Sequence, residues 1–202
     1  MRTPTPRWWH RKAAVAAALV GAGLVTLGCT LGSDLVSYDL PEEEARYTLE
    51  VRVDEVVTQW EFASAHATET DALDHRVCMG AFLGSTEFGE CRVEPLIFLT
   101  YDLGLQMDNT VPATRPHEIT ITGYYEERLS EPPVVTGVQV EASFDGGSSW
   151  QPATVGAGGE NTFTATIPAA GDGAESVTLR VTGTDSQGNR VVQTMPDAYR
   201  LS

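Results

Sequence analysis

Lysine is almost missing from this chain of 202 residues, because its single lysine, Lys12, lies close to the N-terminus. After residue 29 the basic side chains are nine arginines, and they stand against all 28 acidic residues, so this part carries a net charge of −19. Such a charge repels nucleic acid and anionic lipid headgroups. We therefore expect no nucleic-acid partner, and we interpret the acidity mainly as a source of solubility.

Motifs of the common enzyme classes are also missing. The chain has no Gly-x-Ser-x-Gly, no His-Glu-x-x-His and no phosphate-binding loop, which are the patterns of serine hydrolases, zinc proteases and nucleotide-binding proteins. His75 beside Asp74 is the one pair that a hydrolase could use, although an exposed loop histidine explains it as well. We predict no catalytic residue, no metal site and no cofactor, with a hydrolase site near His75 as an alternative.

The N-terminus has the pattern of an export signal. A basic stub is followed by the apolar stretch Ala13–Leu27 and then by Gly28 and Cys29, and a stretch of this length is typical of a secretory signal rather than a membrane span. The cysteine after a small residue resembles the bacterial lipobox, which implies lipidation of Cys29. An ordinary cleaved signal or an uncleaved anchor, with Cys29 incidental, remains the alternative.

Only three cysteines are present, and two of them remain once Cys29 is set aside. Cys78 and Cys91 predict a disulfide in an oxidising compartment. Its loop would stabilise the fold by about 3 kcal/mol in the chain-entropy model. A zinc site near His75 is the weaker interpretation, because Cys91 has no neighbouring histidine or cysteine.

Helical periodicity is absent after residue 29, whereas alternation of apolar and polar residues predicts strands in both halves. Tyr47–Val53 and Gln59–Ser64 alternate, and Pro95–Tyr101 is an apolar run that fits a buried strand. Asn109–Pro116 contains two prolines and indicates a linker. The later alternating sets are Ile119 and Ile121; Val138, Val140, Ala142 and Phe144; Phe163, Ala165 and Ile167; and Val177, Leu179 and Val181.

Two Gly-containing segments separate these later strands. Asp145–Ser149 and Asp185–Asn189 could be interpreted as calcium loops, but one aspartate in each supplies too few oxygens. Tight turns explain the same residues, since aspartate caps turns and glycine and asparagine accept positive φ. We therefore predict turns at both places.

Exposed aromatic rings would favour a polysaccharide-binding module. Trp60 and Trp150 lie in strand patterns and are expected to fill the core. Tyr124 and Tyr125 are adjacent and cannot both point inward, so we predict that one of them is exposed. These two tyrosines are the candidate contact residues.

The later half resembles the C-terminal sandwich of secreted actinobacterial subtilisin-like peptidases. The similarity rests on Ser143–Gly147 with Trp150, on Leu179–Val181 with Asp185, Gly188 and Asn189, and on Tyr199–Leu201. Trp60–Phe62 and Pro95–Leu96 resemble the β-rich segment before that sandwich. The peptidase domain itself has no counterpart here, so the resemblance implies a non-catalytic accessory module.

These observations together predict an all-β fold with two β-sandwich-like domains, the second immunoglobulin- or fibronectin-III-like. The expected divisions are a signal peptide at 1–28, a lipidated cysteine and tether at 29–45, a β domain with the disulfide loop at 46–112 and the second sandwich at 113–202. The expected function is a lipid-anchored binding module on the outer face of the cell membrane. Its partner would be another exported protein or the cell wall, and a polysaccharide-binding module is the alternative.

Overall fold

The computed structural model describes residues 40–68, 92–171 and 173–202, together with the backbone of six short strands outside these ranges. The strands in chain order are β1 (Ala16–Gly21), β2 (Val25–Thr26), β3 (Cys29–Thr30), β4 (Val36–Ser37), β5 (Ala45–Val53), β6 (Val56–Ser64), β7 (Cys78–Met79), β8 (Phe88–Gly89), β9 (Phe98–Asp102), β10 (Thr110–Val111), β11 (His117–Tyr124), β12 (Val135–Ser143), β13 (Gln151–Pro152), β14 (Thr154–Gly159), β15 (Thr162–Ile167), β16 (Ser176–Asp185) and β17 (Arg190–Leu201).

Two sheets contain most of these strands. The large sheet has the order β13-β12-β16-β17-β6-β5-β1-β2, and β10 lies parallel to one end of β17. The four-stranded sheet has the order β14-β15-β11-β9. Its strands run antiparallel, as do the neighbouring strands along the order of the large sheet. The prediction of an all-β, sandwich-like fold is confirmed.

The inner faces of the two sheets share a hydrophobic core. Because side chains alternate between the faces of a strand, β16 of the large sheet buries Val177, Leu179 and Val181 completely. From the four-stranded sheet, β11 buries Ile119 and Ile121 in the same cluster. Each such side chain stabilises the fold by about 1.5–3 kcal/mol, so the alternating sets that predicted the strands also hold the sheets together.

Strands from both sides of the predicted boundary at residue 112 belong to the same sheets. β6 pairs with β17, with Trp60 opposite Val191, and β9 pairs with β11, with Tyr101 opposite Ile121. The structure thus differs from a division into separate sandwiches at 46–112 and 113–202. β5 and β6 form a hairpin, and pairing of β6 with β17 joins this hairpin to the strands that follow residue 112.

The predicted linker Asn109–Pro116 is tied to the C-terminal strand. Val111 is buried, and its β10 pairs with the end of β17. The backbone nitrogen of Ala113 also donates a hydrogen bond of 3.1 Å to the carbonyl oxygen of Ser202. Pro112 fits this position because proline is tolerated at sheet edges. Proline content therefore reflected an edge strand here, not a boundary.

The apolar run Pro95–Tyr101 forms a strand that begins later than predicted and is only partly buried. The strand is β9, Phe98–Asp102, and it lies at an edge of the four-stranded sheet. Ile97 is buried, but Thr100 is exposed. In this edge position one face of the strand packs on the core while the other faces solvent.

Candidate functional site

Several predicted site residues lie outside the residues whose side chains the structure describes. Cys29 and Cys78 are placed only as backbone in β3 and β7, and Cys91 and His75 lie outside the described residues. Lipidation of Cys29, the Cys78–Cys91 disulfide and the alternative site near His75 therefore stay predictions.

The adjacent tyrosines Tyr124 and Tyr125 have opposite environments, as predicted. Tyr124 is 46% exposed, and its ring lies 5.5 Å from the ring of Phe98. Tyr125 is half-buried, and its hydroxyl donates a 2.9 Å hydrogen bond to Asp185. Burial, and then the hydrogen bond to Asp185, raises the pKa of Tyr125 well above its ordinary value. Tyr124 is thus the available contact residue of the two.

The two tryptophans of the strand patterns also differ. Trp60 is buried and donates its indole N–H to the carbonyl oxygen of Ile97 at 2.7 Å, as expected of a core tryptophan. Trp150 is half-buried, and the guanidinium carbon of Arg180 lies 4.2 Å from the centre of its ring. Arg180 in turn contacts Glu141 at 2.7 Å. Neither indole provides an open platform for a sugar ring.

The Asp145–Ser149 segment is a turn in which the carboxylate of Asp145 accepts hydrogen bonds from neighbouring residues. Asp145 accepts hydrogen bonds from the hydroxyl and the backbone nitrogen of Ser149 and from the hydroxyl of Ser143. These bonds, those from Ser149 first, lower the pKa of Asp145 to about 2. The carboxylate oxygens thus stabilise the turn, which agrees with the interpretation of this segment as a turn.

The Asp185–Asn189 turn contains a buried polar network. One carboxylate oxygen of Asp185 accepts from the backbone nitrogens of Gln187 and Asn189, both at 2.8 Å. The other accepts from the side-chain amide of Asn189 and from the hydroxyl of Tyr125. The Asn189 side-chain oxygen reaches the backbone nitrogen of Ala63 in β6. This aspartate therefore joins three segments of the fold.

The described histidines are held by backbone carbonyl groups. The Nδ1 atom of His66 lies 3.1 Å from the carbonyl oxygen of Leu40, and Nε2 of His117 lies 2.7 Å from that of Leu103. The His117 ring also packs edge-on against Tyr199. In the ranges 40–68, 92–171 and 173–202, no group of three or more His, Cys, Asp and Glu side chains could hold a metal ion.

A cleft of about 440 Å³ opens where β11 begins. We call this region, formed by Gly104–His117, the cleft end. Arg115 and His117 line the cleft, and the loop before β10 projects Met107 with its side chain fully exposed. Arg115 makes no hydrogen bond or ion pair with any described residue.

Sequence reasoning missed Met107 and Arg115 because both lie in or next to the segment interpreted as a linker. The available signal was residue type, because Gly104 and Asn109 are residues that tolerate positive φ. Both adopt positive φ in the structure. That signal predicts a turn, but it does not show which side chains the turn presents.

No helix among the residues that the structure describes is long and apolar enough to cross a lipid bilayer. Comparison with protein families, with curated proteins and with solved structures finds no match for this chain.

Proposed function

We propose that this protein is an exported, lipid-anchored and non-catalytic module that binds another exported protein through its cleft end. The leader delivers the chain to the outer face of the membrane, where two acyl chains on Cys29 hold it far more firmly than one chain could. The resemblance to sandwiches of secreted subtilisin-like peptidases favours an exported peptidase as the partner and an immunoglobulin-like grouping for the later strands.

The full exposure of Met107 beside a polar cleft is the observation that carries this proposal. An apolar side chain with three rotatable bonds adapts to differently shaped partners, and methionine is common on binding surfaces for that reason. Met107 follows Gln106, which lines the cleft, so a partner that packs against the methionine also lies next to the cleft.

Arg115 places one positive charge at the cleft end, where Asp108 is the one acidic residue. With a net charge of −19 after residue 29, the protein repels acidic partners at long range, whereas the guanidinium of Arg115 can donate two parallel hydrogen bonds to a carboxylate. We therefore expect an acidic side chain or a C-terminal carboxylate of the partner to face Arg115. Such charge complementarity orients the partner more than it adds affinity.

Site-specific photo-crosslinking in intact cells tests the contact. A photoreactive residue in place of Met107 should give a discrete adduct with another exported protein, and Arg115→Glu in the same chain should weaken that adduct. Val134, which is 57% exposed, is the matched control position because it lies at the opposite end of the sandwich. Equal adducts at both positions, or none at Met107, would contradict the proposal.

The anchor has its own test. Cys29→Ala should move the protein from the membrane fraction to the soluble fraction without changing the fold, because residue 29 lies outside the two sheets. Retention of the variant in the membrane fraction would show that something other than a lipid on Cys29 holds the protein.

A further inference from the structure

The outer face of the four-stranded sheet is made largely of threonines. Thr120 and Thr122 of β11 lie opposite Thr164 and Thr162 of β15, and Thr100 of β9 lies opposite Thr122. Thr154 of β14 lies opposite Thr166 of β15. We call this surface the threonine face; its seven threonines are Thr100, Thr120, Thr122, Thr154, Thr162, Thr164 and Thr166.

The alternation of burial places these side chains outside the core. On β11 and β15 the residues between the threonines, such as Ile121 and Ala165, are completely buried. Thr100, Thr154 and Thr166 are exposed and the other four are half-buried. The threonines therefore form one polar layer on the solvent side of the sheet.

Four of the seven hydroxyl groups have no partner among the described residues: those of Thr120, Thr154, Thr164 and Thr166. The remaining ones make weak contacts, such as the 3.3 Å contact between the hydroxyls of Thr122 and Thr162. Each threonine hydroxyl can donate one hydrogen bond and accept two. The face thus offers a set of donors and acceptors that the protein itself leaves largely unused.

These hydroxyl groups are also held in a regular arrangement. Neighbouring strands are about 4.8 Å apart, and residues on one face of a strand repeat about every 6.7 Å. A β-branched side chain has few χ1 rotamers, so little side-chain entropy is lost when a ligand binds. A ligand with repeating hydroxyl groups can therefore hydrogen-bond to several threonines at once.

The charged and aromatic residues on the threonine face limit the kinds of ligand that it can bind. No arginine lies on the β9, β11, β14 or β15 strands, while Glu118 and Asp102 occupy the same outer face. An anionic polymer would be repelled here. Tyr124 is the next residue after Thr122 on the outer face of β11, and it lies opposite Phe98 just as Thr122 lies opposite Thr100. The centre of the exposed tyrosine ring is 5.5 Å from the centre of the phenylalanine ring.

We infer that the threonine face binds a neutral polysaccharide, with Tyr124 stacking on one sugar ring and the threonine hydroxyls bonding to the sugar hydroxyls. This ligand is separate from the protein partner at the cleft end, and the face can bind it whether or not that partner exists. The module would then attach an anchored protein to a surface glycan through one face while leaving its cleft end free.

Sedimentation of the purified full chain with insoluble polysaccharides tests the inference. Amorphous cellulose, chitin and starch granules are the neutral probes, and calcium alginate is the anionic one. The chain should sediment with at least one neutral probe and not with alginate. Thr120→Val with Thr164→Val should weaken this binding at least about tenfold, because two hydrogen bonds are lost while the shape of the face is kept.

Matched variants separate binding from folding. Thr182→Val with Thr194→Val makes the same chemical change on the outer face of the large sheet and should leave binding unchanged. Tyr124→Ala should weaken binding and Tyr124→Phe should preserve it, since only the ring is required. Unfolding midpoints of all variants show that they fold. Absence of binding to any of the three neutral probes, binding to alginate alone, or full binding by the Thr120/Thr164 variant would overturn the inference.

Discussion

Replacement of Asp185 by alanine should cause the largest loss of stability among changes at polar residues of the described fold. The carboxylate accepts four hydrogen bonds, and both Asp185 and Asn189 are almost fully buried. Each buried donor left without a partner costs about 1–3 kcal/mol. Because water can partly replace the carboxylate near the turn, we expect Asp185→Ala to lower the free energy of unfolding by about 3–5 kcal/mol.

Milder substitutions at Asp185 and Tyr125 show how much of this loss comes from each hydrogen bond. Asp185→Asn keeps one oxygen for the two backbone donors but sets an NH₂ group against the side-chain amide of Asn189, so a loss of about 2–3 kcal/mol is expected. Tyr125→Phe removes only the hydroxyl donor and should cost about 1–2 kcal/mol, because Tyr125 is half-buried. The double variant should lose less than the sum of the two, since both changes remove the same contact.

Urea unfolding followed by tryptophan fluorescence measures these differences, with a constant m-value as the sign that only stability has changed. Asp145→Asn is the matched control: Asp145 also accepts hydrogen bonds from its own turn, but it is exposed, so its replacement should have a much smaller effect. A loss below about 1 kcal/mol for Asp185→Ala would refute the assignment of a structural network, because such a value is typical of one ordinary hydrogen bond.

Two further predictions concern other parts of the fold. Burial raises the pKa of Tyr199 above the ordinary value of about 10, so its stabilising contribution is complete below that pH and is lost as the pH rises towards the folded-state pKa. Tyr199→Phe should therefore reduce the alkaline loss of stability by up to about 1.4 kcal/mol per pH unit, and equal slopes for both proteins between pH 10 and pH 12 would contradict it. Because β6 pairs with β17, the fluorescence transition of Trp60 in a variant without Trp150 should coincide with the circular-dichroism transition of the whole fold in that same variant, and separate transitions would show two independent units.

Alternation along the sequence predicted the buried sets of the later strands closely. Val177, Leu179 and Val181 are completely buried, and so is Ala165 between the half-buried Thr164 and the exposed Thr166. The reason is physical: a strand that packs on one side must repeat its apolar residues with period two. Two residues at the ends of their sets are exceptions: Phe144 is half-buried, and in the earlier set Val53 is 42% exposed beside the positive-φ turn residue Asp54.

Pairing between distant strands was the part that composition could not predict. The prolines of Asn109–Pro116 have the same signature in a linker as at a sheet edge, and the structure places Thr110 and Val111 against β17. Periodicity shows which face of a strand is apolar, but it does not identify the neighbour across the sheet, because any two strands with matching faces satisfy the same pattern. The shared sheets of the two halves follow from that choice of neighbours.

The threonine face was not predicted, although its residues are visible in the sequence, because periodicity does not identify which strands are neighbours. Thr162, Thr164 and Thr166 alternate within one strand, and Thr120 and Thr122 alternate within another, yet each set by itself indicates only a solvated strand face. Their joining into one surface depends on the register that sets Thr120 against Thr164. A slip of one residue in that pairing would turn the threonines towards the core, and the buried Ile119 and Ile121 would become exposed. The apolar residues of β11 and β15 therefore fix the register, and that register arranges the hydroxyl groups from which the polysaccharide site is inferred.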